Sequence, residues 1–553
     1  MDSGLAATFE LLAKTQNEAA APLLVDALDA ESRAVQTAAV RAILQRRCPT
    51  GMRELVRRFH EMDESWKEAI REFHGRLLPV LRDAVLSGDP HFVESGCQAA
   101  CCFYEYDLIP TLLIALEDEA NAHRETAALA LINLADALYR DLAARDERRR
   151  RDPQISRLNA VTVLEASVQR FARHKRLEPI EAFLQLAARD NAALNRILGD
   201  PRDSSFVPVI QTLHGSRRSG VLRLLLGFLD DPRPPSAGLA SLFRRTDRRA
   251  IDGLLKKIGG EPSLAARNNL KHVEHIAWIE DYALFDDLDD AQQHAAVRTV
   301  ALSNVKRVDV VKFLEHAVVK GKPGGRRAAV AALAPLNGAD ANALVMRALR
   351  DDDPAVKAAA LAQLRGRGIP GALTTLIEAL DSDIRAVREA ARANLEEFSF
   401  RRFLPAYELL EDDVRRSTAT LVRKVDPTAP QQLREELESP QGKRRMRALH
   451  IAAAMDLIGE LQDAIVARSA DEDHMVRSEA ARVLGEIGSL EAVVRLQEML
   501  DDASFAVREA AQTALEEIDA AAARSKAEAA GKPAAPPLPI APVPPSPTGV
   551  SHG

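Results

Sequence analysis

Three thiols crowd into GCQAACC (96–102): Cys97, Cys101 and Cys102, with His91 a few residues upstream. Thiolates and imidazoles are the ligands of tetrahedral zinc sites, so the cluster invites a metal. A second pattern, HVEHIAW, sets His272 and His275 three residues apart. Side chains at that spacing share one face of a helix and can share a ligand. His60–Glu61 is the one His-Glu dipeptide. Each falls short of a full constellation. Cys102 follows Cys101 directly and points about 100° away on a helix. No Cys-x-x-Cys pair completes a zinc set, and no third ligand stands near the histidines. The chain has no Gly-rich phosphate loop, Gly-x-Ser-x-Gly elbow or His-Glu-x-x-His helix. These residues support no catalytic set and no metal or other cofactor.

The cysteines acquire a different meaning from the elements that carry them. Residues 381–395 read DSDIRAVREAARANL and 501–515 read DDASFAVREAAQTAL. With Val387 as position zero, small or apolar residues fall at +3, +4, +7 and +8, the stripe of a helix that buries one face. The same frame fits Val356, Val476 and Val507, more loosely Val297, Gly325, Val414 and Met446, and near the N-terminus Val35, Trp66, Val93 and His123. Steps cluster near 30–31 residues. A second apolar pattern, such as ALTTLIEAL (372–380), precedes each copy, so each unit reads helix–turn–helix. One such hairpin cannot bury its apolar face alone, and stacked neighbours make a continuous core. The expected fold is an all-α solenoid. In this frame Cys97 and Cys101 take +4 and +8, where the best copies place Ala391 and Leu395, so they read as core residues.

The totals agree with that fold. A chain of 553 residues exceeds a single core. Aromatic content of 4% suits closely packed Ala, Leu and Val. With 81 acidic and 74 basic residues the net charge is −7, so no global field draws nucleic acid. Four cysteines make no disulfide framework and point to a reducing compartment. The opening MDSGLAATFELLAK lacks the pattern of a signal peptide, and no apolar run approaches the length of a membrane span. A cytoplasmic protein is expected.

The pattern D-x(3–5)-V-R-x-A-A-x-x-A-L preceded by L-x-x-x-L resembles the HEAT repeats, and most closely the short variant of the bilin-lyase (PBS lyase) type. The resemblance organises the chain into N-terminal repeats over 1–142, a charged linker or helix extension over 143–158 and divergent helical repeats or an inserted bundle over 159–280. Regular repeats follow over 281–520, then a disordered Pro/Ala-rich tail over 521–553, whose Pro-x-x-Pro spacing suits an aromatic groove. HEAT-like hydroxylases hold di-iron with His-Glu pairs at the start of inner helices. Here those places carry Arg124–Glu125, Arg388–Glu389 and Arg508–Glu509, which do not support that chemistry.

Charge is the strongest pattern. Position +1 is basic in eight successive units: Arg298, Arg326, Lys357, Arg388, Arg415, Arg447, Arg477 and Arg508. A cation in the first turn opposes the helix dipole, so a compensating group is expected. Acidic loops ahead of six units, among them Asp353, Asp383, Asp473 and Asp502, suggest caps and an Asp–Arg ladder. Two loops break the rule: KGKPGGRR (320–327) and QGKRRMR (441–447) carry Gly, Lys and Arg instead. Lys320, Lys322, Arg326, Arg327, Lys443, Arg444 and Arg445 are therefore the candidate contacts for an acidic partner, roughly 40 Å apart at the usual helix spacing.

The function expected is a non-catalytic scaffold binding another protein along the concave face of the superhelix. The alternatives are a lyase-type accessory or maturation factor and a nucleic-acid-binding HEAT-like protein. Two Trp and five Tyr offer few stacking platforms, which argues against nucleic acid.

Overall fold

The computed structural model describes residues 3–144 and 152–530. Among them lie 34 α-helices and five short 3-10 turns, with no strand. The chain divides into two units, Met1–Leu344 and Val345–Gly553, a division that falls inside the regular repeats.

In the first unit one layer of helices is formed by α1 (Ser3–Lys14), α2 (Arg33–Arg46), α3 (Glu64–Glu72), α4 (Pro90–Cys102), α5 (Arg124–Ala143), α6 (Glu178–Leu186), α7 (Ser219–Phe228), α8 (Arg248–Gly259), α9 (Asp290–Leu302) and α10 (Pro323–Ala332). From α4 onward each packs on the next, as do α1 to α3. The intervening helices, such as Pro49–Arg57, Leu78–Val85, Ile109–Glu117 and Pro153–Gln169, form the second layer and also pack on one another in order. The second unit repeats the plan with α11 (Pro354–Leu361), α12 (Arg385–Ala393), α13 (Asp412–Val425), α14 (Gly442–Ala454), α15 (His474–Ile487) and α16 (Phe505–Ala530).

The repeat frame explains the core. Val356, Ala360, Ala391, Leu395, Val476, Ala480, Leu484, Val507 and Ala511 are all fully buried. Small residues let the layers close. At Gly485 an added Cβ would come within 2.8 Å of the Ala514 Cβ, so α15 and α16 meet there without side chains between them. Acidic N-caps start several layer helices: Asp63 accepts from Trp66 N at 3.0 Å, Asp89 from His91 N at 3.2 Å and Asp353 from Ala355 N at 2.8 Å. Such a cap satisfies an N–H that the helix itself leaves unpaired.

One segment differs from the sequence expectation, and a second takes one of the two forms expected for it. Residues 521–530, expected in a disordered tail, continue α16, because its Ala-rich composition keeps helical propensity to Ala530. The Pro-x-x-Pro motif lies outside the described residues. The stretch 159–280 carries α6, α7 and α8 in the same layer as α5 and α9, so the helix-pair plan continues through it. What obscures it in sequence is spacing: α5 runs 20 residues, its partner Pro153–Gln169 runs 17, and α6 only 9. After residue 271 the chain leaves helical geometry and is pinned instead by Ala277 N to Phe243 O and Asn304 N to Val273 O, both 2.9 Å. Trp278 lies 6.4 Å edge-on to Phe313, itself 5.1 Å from Phe285, an aromatic core where the Ala/Leu frame fails.

Candidate functional site

The repeat arginines do something other than build an Asp–Arg ladder throughout. Four residues past the N-cap of a layer helix, a donor turns back onto a carbonyl six residues earlier. Arg388 reaches Ser382 O (2.7 Å), Arg477 reaches Asp471 O (2.8 Å), Arg445 reaches Ser439 O (2.9 Å) and Arg508 reaches Asp502 O. These carbonyls follow the end of the preceding helix, where carbonyls lack helical partners and the dipole is negative. That is the compensation for a cation in a first turn. Neutral amides take the same place: Gln36 donates to Ala30 O at 2.8 Å, and Gln293, almost fully buried, to Phe285 O at 2.9 Å.

Against this geometry the ladder residues separate. Arg477 pairs with Asp502 of the next loop, at 2.8 and 3.0 Å. Arg415 donates to Asp412 (2.9 Å) and Tyr407 O (2.8 Å) and lies over the Tyr407 ring. Arg298, nine residues past its N-cap Asp289, reaches back instead to Gly260 O at 2.7 Å. Lys357 joins no ion pair among the described residues, while Asp353 caps α11 and Asp473 caps α15. Asp383 caps nothing; Ile384 is the N-cap of α12, and its N–H goes to Ser382 Oγ.

The basic loops are compensated from outside their own sequence. Asp290 of the previous unit accepts from Gly324 N at 2.6 Å, and Gln293 Oε1 from Lys322 N at 2.6 Å; Lys322 Nζ is held by Leu288 O and Arg326 by Gly321 O. Gly324 and Gly325 are required there, since a Cβ would strike Asp290 or Gln293. In the second loop Arg444 is paired side-on with Glu436, and Arg445, 4% exposed, is buried against Asp471 at 2.7 Å. Arg445, not Arg447, is thus the repeat donor of its unit. Burial would raise the Asp471 pKa, but the Arg445 bond and the Asp473 N–H hold it below the ordinary carboxylate value. Of the seven candidates, Lys320, Arg327 and Lys443 stand exposed with side chains that bond none of the described residues.

The thiols and imidazoles are likewise placed by packing. Burial pushes the Cys97 thiol up to about 12 and Cys101 to about 11, and Cys101 Sγ donates to Ala130 O at 3.7 Å. His60 is exposed 3.5 Å from Glu61. His272 and His275 line a cavity of about 510 Å³ with Arg233, Arg244 and the Pro232–Pro234 turn. No group of three or more His, Cys, Asp or Glu among the described residues is placed to hold a metal.

The surface with the most chemistry lies along α5. Leu129, Asn133, Asp136 and Arg140 follow one stripe of this helix, because 11 residues turn through almost whole revolutions. Its N-terminal half meets α4 across a cleft of about 560 Å³, walled by Phe59, Cys97, Cys101, Leu129 and Ala130 and rimmed by Glu94, Gln98, Glu125, Thr126 and Asn133. Leu129 is 64% exposed at its edge. The C-terminal half enters a recess of about 460 Å³ shared with the starts of α7 and α8, lined by Asp136, Tyr139, Arg140, Arg217, Arg218, Ser219 and Arg249. The recess exists because α6 is short and α7 sits hard against its end: a Cβ on Gly220 would lie 2.4 Å from Gln185 O. Arg218 is neutralised by Asp136. Arg249 donates to Arg217 O (3.2 Å) and Ser219 Oγ (2.6 Å), and Arg223 lies 5.4 Å over the Tyr139 ring. The sequence does carry a trace of this site: the Arg-Arg pairs 217–218 and 248–249 stand one repeat step of 31 apart, inside the stretch where the apolar frame is weak.

Two packed layers of helix pairs define the chain as an α-solenoid. The family model for HEAT repeats matches residues 312–396 and 430–516. Those residues match the HEAT repeat, and it is this general repeat rather than the bilin-lyase variant that the match describes. No curated protein matches the sequence. Among solved structures, a chain from work on a phosphorylation switch in the interaction of cadherin and beta-catenin is 15% identical, covering 90% of this chain and 99% of that one, with a TM-score of 0.37. Kap121p is 15% identical over 94% of this chain and 57% of its own, at 0.27. Human deoxyhypusine hydroxylase is 20% identical over 54% of this chain and 96% of its own, at 0.17. Scores of this size carry no argument about function. No helix among the described residues is long and apolar enough to cross a membrane.

Proposed function

We propose that this protein is a non-catalytic scaffold that binds another protein through the exposed face of α5. The observation that carries the reading is the α4–α5 cleft. An isolated exposed leucine needs no explanation, but Leu129 edges a 560 Å³ cleft with apolar walls and a rim of amide, hydroxyl and carboxylate groups, the last from Glu94 and Glu125. That combination suits an extended segment of a partner: one large apolar side chain seated between Cys97, Cys101 and Leu129, with its backbone bonded by Gln98, Thr126 and Asn133. The acidic partner expected at the basic loops is better served here, since Arg444 and Arg445 are already engaged, whereas the adjoining recess presents guanidinium groups.

The test is selection of linear peptides from a random displayed library on the full-length protein. Selected peptides should share a large apolar residue, and L129D should weaken them by about tenfold or more, in line with loss of one buried apolar anchor. The substitution Leu373→Asp, at an exposed leucine on another helix, should leave them bound. Peptides bound equally by L129D would remove the cleft as the site.

A further inference from the structure

We propose that the recess between α5, α7 and α8 is a receptor for a phosphate monoester, carried as a phosphorylated side chain on the protein segment that occupies the α4–α5 cleft. The lining sets four guanidinium groups, Arg140, Arg217, Arg218 and Arg249, against one carboxylate, Asp136. Asp136 is taken by Arg218 and by Gln185 Nε2, and Glu181 stands 3.9 Å from the same arginine. Arg218 is thus the fixed wall of the recess. The remaining three have no carboxylate partner among the described residues. Arg140 makes one long bond of 3.4 Å to a carbonyl of its own helix, Arg249 bonds a carbonyl and a hydroxyl, and the Arg217 side chain bonds none of the described residues.

Three arginines converging without acids are unusual in this chain, whose other guanidiniums are repeatedly bonded to carboxylates or helix-end carbonyls. Arg249 is also held in place, by Arg217 O and Ser219 Oγ, so part of its ordering cost is met before a ligand arrives. Guanidinium groups bind phosphate by paired charge-assisted hydrogen bonds, and a dianion gains more from three of them than a single carboxylate can. Tyr139 adds a phenol at the recess wall. Nucleic acid is the less suitable source. The basic groups are confined to one recess rather than spread along a track, one tyrosine is the only ring in its lining, and the whole chain is acidic.

Position along α5 adds a spacing rule. Leu129 and Arg140 lie on one stripe, 11 residues apart, which is about 16 Å of helix. An extended peptide covers that length in about five residues. The phosphorylated residue should therefore sit about five positions from the apolar anchor. This rests on the α5 reading for its occupant but not for its chemistry, and the two can fail separately.

The experiment measures binding of full-length protein to a phosphoserine-oriented peptide library, the same library with serine, and a 12-nucleotide single-stranded RNA. The phosphorylated library should bind about tenfold or more tighter than the serine one. The double substitution Arg140→Glu and Arg217→Glu, both exposed side chains outside any ion pair among the described residues, should erase that preference with the melting temperature unchanged. A milder pair, R140Q and R217Q, should reduce it in part, which guards against a folding defect. L129D should weaken both peptide libraries while leaving the ratio between them. Equal binding of the phosphorylated and serine libraries, a ratio untouched in the double variant, or RNA bound in preference to both would each overturn the proposal. Loss of the L129D effect alone would overturn the cleft and spare the recess.

Discussion

Arg477 and Asp502 lie 25 residues apart and meet in two parallel bonds of 2.8 and 3.0 Å, tying the start of α15 to the loop before α16. Both side chains are more than four-fifths buried. The same guanidinium holds Asp471 O with its third nitrogen, so one residue closes its own unit and grips the next.

The first prediction concerns pH. The Arg477 bond, helped by the Ser504 N–H, holds the Asp502 carboxyl below its ordinary value, against a burial effect that would raise it. A carboxyl lowered in the folded state contributes stability above the ordinary aspartate range near about 4 and loses it as pH falls through the lower, folded value. D502N should cost about 1–2 kcal/mol at neutral pH and much less once the wild-type carboxylate is protonated. Amide hydrogen exchange in the first turn of α16, followed down in pH, would show the two proteins converging; a constant gap would refute the linkage.

A buried ion pair behaves differently from an exposed one. Arg445 and Asp471 are almost wholly enclosed, so removing either leaves a buried charge with only a longer contact, Asp471 to Arg468 at 3.4 Å or Arg445 to the exposed Glu472 at 3.3 Å. R445M alone should destabilise the second unit by about 3 kcal/mol, and adding D471N should restore part of that loss. Denaturant unfolding of the two variants and the double checks the non-additivity. Additive losses would mean that the partners act independently.

Sequence pattern reaches the fold further than the site. Val356, Val476 and Val507 declare their frame because buried positions must be small and apolar in every copy, and burial follows helical period. Carbonyls have no letter in the sequence. The +1 arginines are therefore visible while their main partners, Ser382 O or Asp471 O, are not. The Arg445 register was hidden for the same reason: Met446 fits the apolar frame, but the N-cap at Gln441 sets the true count. The recess joins Arg217 and Arg249, whose Arg-Arg pairs keep the 31-residue step, to Arg140 of the long helix α5, which lies off that step, so periodicity alone could not bring the three together. The stretch 271–281 was opaque because its order comes from Trp278 packing and two backbone bonds rather than from an amphipathic stripe.

The cysteines give a chemical check on burial. With its thiol pushed up to about 12, Cys97 holds a negligible thiolate fraction at neutral pH, and Cys101 at about 11 scarcely more. Thiolate is the reactive form. Iodoacetamide at pH 7.5 should therefore modify Cys97 in the folded protein far more slowly than in denaturant, with cleavage and mass spectrometry reading each site. Rapid modification of native Cys97 would contradict its place in the core.

The donor position itself predicts which substitutions are tolerated. Gln36 and Gln293 fill it without charge, so the requirement is a long side chain that donates to a helix-end carbonyl rather than a cation. At Arg388, whose one bond goes to Ser382 O, replacement by Gln should keep most of the stability, whereas Leu should cost about 1 kcal/mol by leaving that carbonyl without its partner. The same exchange at Arg477 should fail, because Gln cannot also span to Asp502 with two bonds. Thermal unfolding of R388Q, R388L and R477Q separates the two roles. If R388Q melts as low as R388L, charge rather than hydrogen bonding holds the loop, and the compensation assigned to helix-end carbonyls is wrong.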